Sequence, residues 1–323
     1  MNIKQPKSPS DTFDLRFPEG KTFDVVGLGL NSMDHLCVVP KYPRIDSKTE
    51  ILQYEKLPGG QVATTLVFLS RLGLKAKYIG KVGGDELGHL SLQSFRDEVV
   101  DVSAVLVEES ARSQFSIIII DQCLGERTVF CQRDSRLDFK ESELDKRAIC
   151  SGRILHLDGY DSGALEAARF CQRQGIPVII DLDKVVPDCS ALIQEIDFLI
   201  VSSNFSSEFT GIADPADSFQ TLRQRYRGFL AMTLGAEGAM AWVDDRCIRF
   251  PGLKTKAVDT TGAGDIFHGG FIYGLLQNWP LKQIMGFANA AAGLSCMHLG
   301  ARVGIRPLAE ILRYAEQLIP SPQ

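Results

Sequence analysis

Short apolar runs alternate with helix-period stretches along most of this chain, and that alternation restricts its fold more than any other feature. FDVVGLG (23–29), AKYIGKVG (76–83), ILHL (154–157), PVIIDL (177–182), FLIV (198–201) and FLAMTLG (229–235) read as strands. Between several of them lie GQVATTLVFLSRLG (60–73), SGALEAARFCQRQG (162–175) and SFQTLRQRY (218–226), with apolar residues at helical spacing. Such alternation calls for βαβ units and a mostly parallel sheet covered by helices on both faces. The unbroken apolar character of IPVIIDL fits a strand buried on both sides. Beyond residue 250 the pattern is helical, over 266–277, 281–299 and 308–319.

Two regions break the rhythm. Residues 35–57 and 103–134 read as short strands and turns without helices, and SQFSIIIIDQCLGERTVFCQ as a hairpin turning near Leu124, Gly125 and Glu126. They predict a small antiparallel sheet inserted into the α/β body, serving as a lid over a cleft or as a dimer contact. No low-complexity run, repeat or hinge-like linker divides the sequence. Residues 22–323 therefore read as one domain carrying the lid, after a flexible leader over 1–21.

Composition narrows the function. The net charge is −5, and Lys and Arg are spread evenly, which argues against nucleic acid or an anionic membrane as the main partner. The N-terminus is polar and lacks the apolar core of a secretory signal, and no apolar stretch is long enough to span a bilayer. Eight cysteines without a C-x-x-C pair suggest buried free thiols and a cytoplasmic setting. Five histidines form no H-x-x-x-H or H-E-x-x-H pattern, so a zinc hydrolase has no support. Gly27-x-Gly29 after a strand suggests a dinucleotide fingerprint, but Ser32 occupies the third glycine position and an extended segment follows instead of a helix.

The chemistry concentrates in AVDTTGAGDIFHGGFIYGLL, 257–276. Ile266, Phe267, Phe271, Leu275 and Leu276 recur at helical spacing, which makes GAGD the first turn of a helix. The amides of a first turn lack internal partners and carry the positive end of the helix dipole, so they can hold an anion. Glycines let that backbone approach closely. Asp265 would stand at the mouth of the site, able to accept a proton from a hydroxyl attacking phosphorus. A bland reading, a capped helix with Asp265 favouring the dipole, competes with this one. His268, one turn on, reads equally as a packed histidine or a substrate contact.

D-T-T-G-A-G-D followed by a small and aromatic helix resembles the C-terminal signature of the PfkB, or ribokinase-like, carbohydrate kinases. LPGGQVATTLVFLSRLGLKAKYIGKVGGDELG (57–88) resembles their N-terminal signature, and GLGLNSMD, TLGAEG (233–238) and NAAAG (289–293) fall in family order. The likeness runs over roughly 22–318. It implies a three-layer αβα ribokinase-like fold with a mostly parallel central sheet and a small antiparallel β lid. It further implies an ATP- and Mg²⁺-dependent kinase of a small sugar or polyol, dimeric through the lid. A nucleoside kinase, or a weakly catalytic sugar- or nucleotide-binding protein on this fold, are the alternatives.

The resemblance also assigns roles. Asp265 becomes the catalytic base, with the backbone of Gly262, Ala263 and Gly264 as anion hole. Thr233, Gly235, Gly238 and Asn289 fall to ATP, and Asp34, Gly59, Gly60, Gln61 and Asp158 to the substrate, with Arg133 a further lid candidate. Asp259 and Thr261 match positions that hold a monovalent cation such as K⁺ in relatives. Many relatives carry Asn-x-x-Glu after the strand near 198–201, where the best register here has Ser202 and Phe205. Asn204 and Glu208 stand nearby with one residue too many between them, leaving Glu208 as the Mg²⁺ organiser. Gln61 and Thr64 replace the Lys and Asn of ribokinases, which argues against ribose and against a phosphorylated sugar.

Overall fold

The computed structural model describes residues 5–124, 126–159, 161–186 and 189–319. The chain opens with β1 (Phe23–Leu28), β2 (Ser32–Val39), β3 (Gln53–Gly59), helix α1 (Gln61–Arg71), β4 (Ala76–Ile79), β5 (Lys81–Gly83) and α2 (Glu86–Asp97). Next come β6 (Leu106–Glu108), β7 (Phe115–Asp121), β8 (Arg127–Gln132), α3 (Lys146–Ile149), β9 (Gly152–Leu157) and α4 (Ser162–Arg173). They are followed by β10 (Val178–Leu182), α5 (Cys189–Ile193), β11 (Phe198–Ser202), α6 (Ser203–Thr210), α7 (Pro215–Arg225) and β12 (Phe229–Thr233). A hairpin of β13 (Gly238–Val243) and β14 (Arg246–Pro251) leads into α8 (Ala263–Leu276), α9 (Leu281–Ser295) and α10 (Leu308–Leu318).

The main sheet has the order β14-β13-β12-β11-β10-β9-β1-β4. From β4 to β12 every pair is parallel, and only the β12–β13 and β13–β14 pairs at one edge are antiparallel. The strands are buried on both faces because successive side chains enter opposite cores. Val25, Ile154, Ile179 and Phe198 join α1, α8, α9 and α10 in one core. Val26, Leu155, Ile180 and Leu199 join α4, α5, α6 and α7 in the other. Three layers result, as the alternating sequence requires.

The lid is a second sheet of order β3-β2-β7-β8. Its outer pairs are antiparallel, as the sequence suggests, but the central β2–β7 pair is parallel. The reason lies in the connection. Between β3 and β7 the chain leaves the lid to build α1, β4 and α2, and it re-enters beside β2 in the same direction. Leu36, Ile118 and Ile120 form the lid's own small core, with Leu57 and Leu299 packed against it. Asp121 shapes the β7–β8 turn by accepting from the amides of Cys123 and Leu124; Gly125 lies outside the described residues.

The leader corrects an expectation. Residues 1–4 lie outside the described residues, but from residue 5 the segment is docked rather than flexible. Phe13 is 3% exposed and meets Phe198, Phe229 and Phe271 edge-on at centroid distances of 5.2, 5.0 and 6.2 Å. The carbonyls of Asp11 and Pro9 accept from Leu281 and Lys282, amides of the first turn of α9 that have no helical partner. Three of the eight cysteines are buried and three exposed, so the expectation of buried thiols holds only in part. No described helix is long and apolar enough to cross a membrane.

Candidate active site at the carboxyl ends of the parallel strands

Parallel strands end on one edge of the sheet, and polar residues placed there share a crevice. β1 delivers Gly29, β9 Asp158, β10 Asp181 and Asp183, β11 Ser202 and β12 Thr233. The start of α8 and the lid close over the same edge.

Asp34, on β2, is 6% exposed and accepts from Ser32 Oγ at 2.8 Å. Burial pushes its carboxyl up, and Ser32 and then Arg302 pull it down. The neighbouring glycines are dictated by packing as much as by any ligand. A Cβ on Gly59 would sit 1.9 Å from Asp34 Oδ2, and one on Gly60, whose φ is +92°, would strike the backbone of Asn31 at 2.5 Å. Arg302 donates to the Gly59 carbonyl at 2.8 Å from a buried position over the Phe95 ring. Burial pulls this guanidinium down to about 10, while Asp34 and Glu98 pull it back up.

Two residues expected at the substrate belong instead to the wall. Asp158 is 2% exposed, and its oxygens accept from Leu30 and Val62 amides at 2.8–3.0 Å. It therefore clamps the β1–β2 loop to the start of α1; burial pushes its carboxyl up to about 7 against those N–H groups. Gln61 turns its side chain to Asp181. Arg133 is likewise paired internally, with Asp138 at 2.8 Å.

The helix start behaves as the motif predicts. Gly262 has φ +78°, and a Cβ there would lie 2.6 Å from Ala301, so only glycine fits. Asp259 is 1% exposed; its Oδ1 accepts from Thr261 N and Oγ1, and its Oδ2 from Gly300 N. These bonds fix the loop before α8, while the amides of Gly264 and Asp265 have no carbonyl one turn back. A Cβ on Gly264 would meet nothing within 4 Å, which marks open space over this turn. Asp265 lies deep in the cleft yet keeps a solvent-facing side. Burial and the nearby Asp181 push its carboxyl well above the usual range; His268, then Arg127, oppose that shift. Thr65 Oγ1 donates to the Asp265 carbonyl at 2.9 Å and joins α1 to α8.

Among the residues expected at a nucleotide, Gly235, with φ +59°, stands in open space beyond β12, next to the half-buried Thr233. Gly238 is packed: a Cβ there would lie 2.3 Å from Gly252 N and from the Phe250 carbonyl. Asn289 departs from its expected place beside a nucleotide. It donates to the carbonyls of Phe250 and Pro251, at 3.1 Å each, and so ties α9 to β14. Ser202 caps α6 through Phe205 N, and Phe205 is fully buried, so neither is free to organise a metal. Glu208 is exposed on α6, close enough to Asp183 to raise its carboxyl. Among the described residues no three potential ligands converge on a metal position.

Sequence reasoning missed Asp181, Arg302 and Arg127. Asp181 could have been found as an acid ending a buried strand. Arg127, on β8, donates to Thr260 Oγ1 and so links the lid to the loop before α8. Nothing local marks it, because the contact spans the lid fold.

The chain matches the pfkB family of carbohydrate kinases over residues 23–307. It belongs to that family. It is similar to a ribokinase of Lactococcus lactis subsp. lactis, 27% identical over 90% of this chain and 96% of the relative. A nucleoside kinase of Methanothermobacter thermautotrophicus is 26% identical over 90% of this chain and 94% of its own. A structure from Agrobacterium tumefaciens, provisionally named a ribokinase, superposes with a TM-score of 0.84 at 27% identity, covering 91% of this chain and 98% of that one. Arabidopsis thaliana ribokinase complexed with ribose and ATP superposes at 0.77 with 19% identity, over 91% and 99%, a likeness of fold. This family member is a carbohydrate kinase with the ribokinase fold.

Proposed function

We propose that this kinase transfers the γ-phosphoryl group of ATP to a hydroxyl of a small sugar or polyol, with Asp265 as general base. The observation that carries the reading is the first turn of α8, where glycine-framed amides open onto free space beside a carboxylate. Of the Gly262-Ala263-Gly264 turn, the Ala263 amide is turned to the Thr260 carbonyl, so the unpartnered amides of Gly264 and Asp265 stabilise negative charge on the migrating group, and the Asp265 carboxylate removes the hydroxyl proton. Asp34 accepts hydrogen bonds from the substrate, which approaches beside Gly59 and Gly60 under the lid. Thr233 and Gly235 border the nucleotide. A nucleoside acceptor keeps the same base and anion site.

Mg²⁺ fits the donor set only sparingly: Glu208 is the side chain offered to it. Such an ion keeps most of its ligands as water and phosphate, and it neutralises charge on the triphosphate. A monovalent cation near Asp259 and Thr261 is the resemblance's suggestion, although the loop bonds of both residues account for them without one. The outward lid face exposes Tyr54, Ile117 and Phe130 at 52, 40 and 54%, which supports a second copy docking there. The cytoplasm is the proposed compartment.

The test is Asp265→Asn assayed for ADP release over a panel of sugars, polyols and nucleosides. Turnover should fall by about 10²–10⁴-fold while ATP still binds by thermal shift. Near-wild-type turnover would remove Asp265 from the role of base.

A further inference from the structure

Beneath the anion-hole turn lies a buried histidine with acceptors on every side. His268, on α8, is 2% exposed. Its Nδ1 is 2.8 Å from the Gly264 carbonyl and 3.3 Å from Asp181 Oδ2, and its Nε2 is 3.2 Å from the Ile200 carbonyl. A neutral imidazole carries one N–H and one lone pair. A neutral ring leaves either Nε2 bare against the Ile200 carbonyl or Nδ1 bare against the nearer Gly264 carbonyl, where only a protonated Asp181, 3.3 Å away and with its carboxyl pushed up to about 8 by burial, could donate to it. The doubly protonated ring lets both nitrogens donate to their carbonyls.

We infer that His268 is held as an imidazolium paired with Asp181, and that it is a positioning residue whose charge keeps Asp265 ionised. The surrounding groups set the sign. Asp181 and, behind it, Asp183 come from β10, Asp158 from the end of β9, and Asp265 from α8 itself. The nearest ring is His156 on β9, at 5.8 Å, with both nitrogens lacking a hydrogen-bond partner among the described residues. Burial, and then the neighbouring imidazole, disfavour its charge. Among the described residues the other cations acting on these acids are Arg127 and Arg302 on Asp265, Arg133 on Asp158 and Lys184 on Asp183. Burial is the largest influence on the His268 imidazole and holds it below its ordinary value; the Gly264 and Ile200 carbonyls, Asp265 and the Ile180 carbonyl oppose it, and the two-carbonyl geometry is what favours the charged ring.

With His268 charged, the ion pair with Asp181 presents little net charge to Asp265. Without it, Asp265 faces a bare Asp181 carboxylate, and its proton is held more tightly.

The inference rests on Asp265 as the base, and two measurements separate their failures. Imidazole ¹⁵N–¹H spectra of the wild-type chain at pH 7 should show protons on both His268 nitrogens; His268→Gln, or removal of the other four histidines in turn, assigns the signal. That reading needs no catalysis. In His268→Gln the acidic limb of kcat/KM should move up by about one pH unit, since removing a cation raises a neighbouring carboxyl. Adding Asp181→Asn should move it back, a coupling that lost packing would not produce. A single protonated nitrogen in the wild type overturns the proposal, and so does a limb that stays in place. Failure of the base assignment appears separately, as undiminished turnover in Asp265→Asn.

Discussion

Gly59→Ala puts the substrate side of the site under direct stress. Gly59 ends β3 with an ordinary extended backbone, so alanine brings no conformational strain of its own. Its Cβ would lie 1.9 Å from Asp34 Oδ2 and 2.6 Å from its Cγ. Real Cβ contacts do not fall below 3.0 Å, so the carboxylate must retreat by at least 3.0 − 1.9 = 1.1 Å. Because the clashing atom ends a side chain, rotation of Asp34 relieves the overlap and the fold survives. The cost to stability is the Ser32–Asp34 hydrogen bond, on the order of 1 kcal/mol. Function pays far more: a displacement of about 1 Å in a positioning group lowers rates on the order of 10²-fold. ADP release with the substrate found by panel screening should show that loss in kcat/KM, with urea unfolding nearly unchanged. In the background of Asp34→Ala, Gly59→Ala should add little, because the clash has gone. If Gly59→Ala kept kcat/KM within threefold of wild type, Asp34 would not be the residue that orients the substrate.

Two predictions concern stability and need no substrate. Phe13→Ala should destabilise the protein by about 3–5 kcal/mol in urea, as for other buried phenylalanines; a loss under 0.5 kcal/mol would mean that the leader is not docked. Val99→Gly should stabilise by about 0.5–1 kcal/mol. Val99 is 82% exposed with φ +57°, and about 1–2 kcal/mol of left-handed strain outweighs the flexibility glycine gives the unfolded chain. An unchanged or lower urea midpoint would show that this backbone is not strained.

The central sheet was legible because parallel strands buried on both sides leave unmistakable apolar runs; all six candidates contribute a strand to it, and AKYIGKVG divides at Gly80 into its edge strand β4 and into β5, which pairs with β6 in a separate two-stranded sheet. The hairpin β13–β14 was not, since RCIRFP is largely exposed at the sheet edge and mixes charge with its apolar residues, and the turn depends on Asp244 taking a positive φ of 45°. In the site, GAGD was legible because helix starts and glycines have local signatures. The duties of Asp158, Gln61 and Asn289 were not. Each bonds to atoms far away in sequence, and a polar residue at a strand or helix end reads the same whether it faces a ligand or the wall. Phe13 misled for a different reason: Phe13, Leu15 and Phe17 alternate over only five residues of a polar, proline-flanked leader, too short a pattern to show that Leu15 and Phe17 pack on the main core while Phe13 fills a gap among three phenylalanines.

The carboxyl edge gathers Asp34, Asp158, Asp181, Asp183 and Asp265, each with its proton affinity raised by burial. A triphosphate entering such a place meets repulsion unless opposing charge has been arranged beforehand. The amides of the α8 turn supply part of it without any side chain. Arg302 supplies part from below the Gly59 carbonyl, and Arg127 reaches over from the lid to the loop that carries the turn. One of those three sources therefore rides on β8. A lid displaced from Thr260 takes a cation away from Asp265, so the electrostatics of the proposed base depend on the same contact that holds the cover in place.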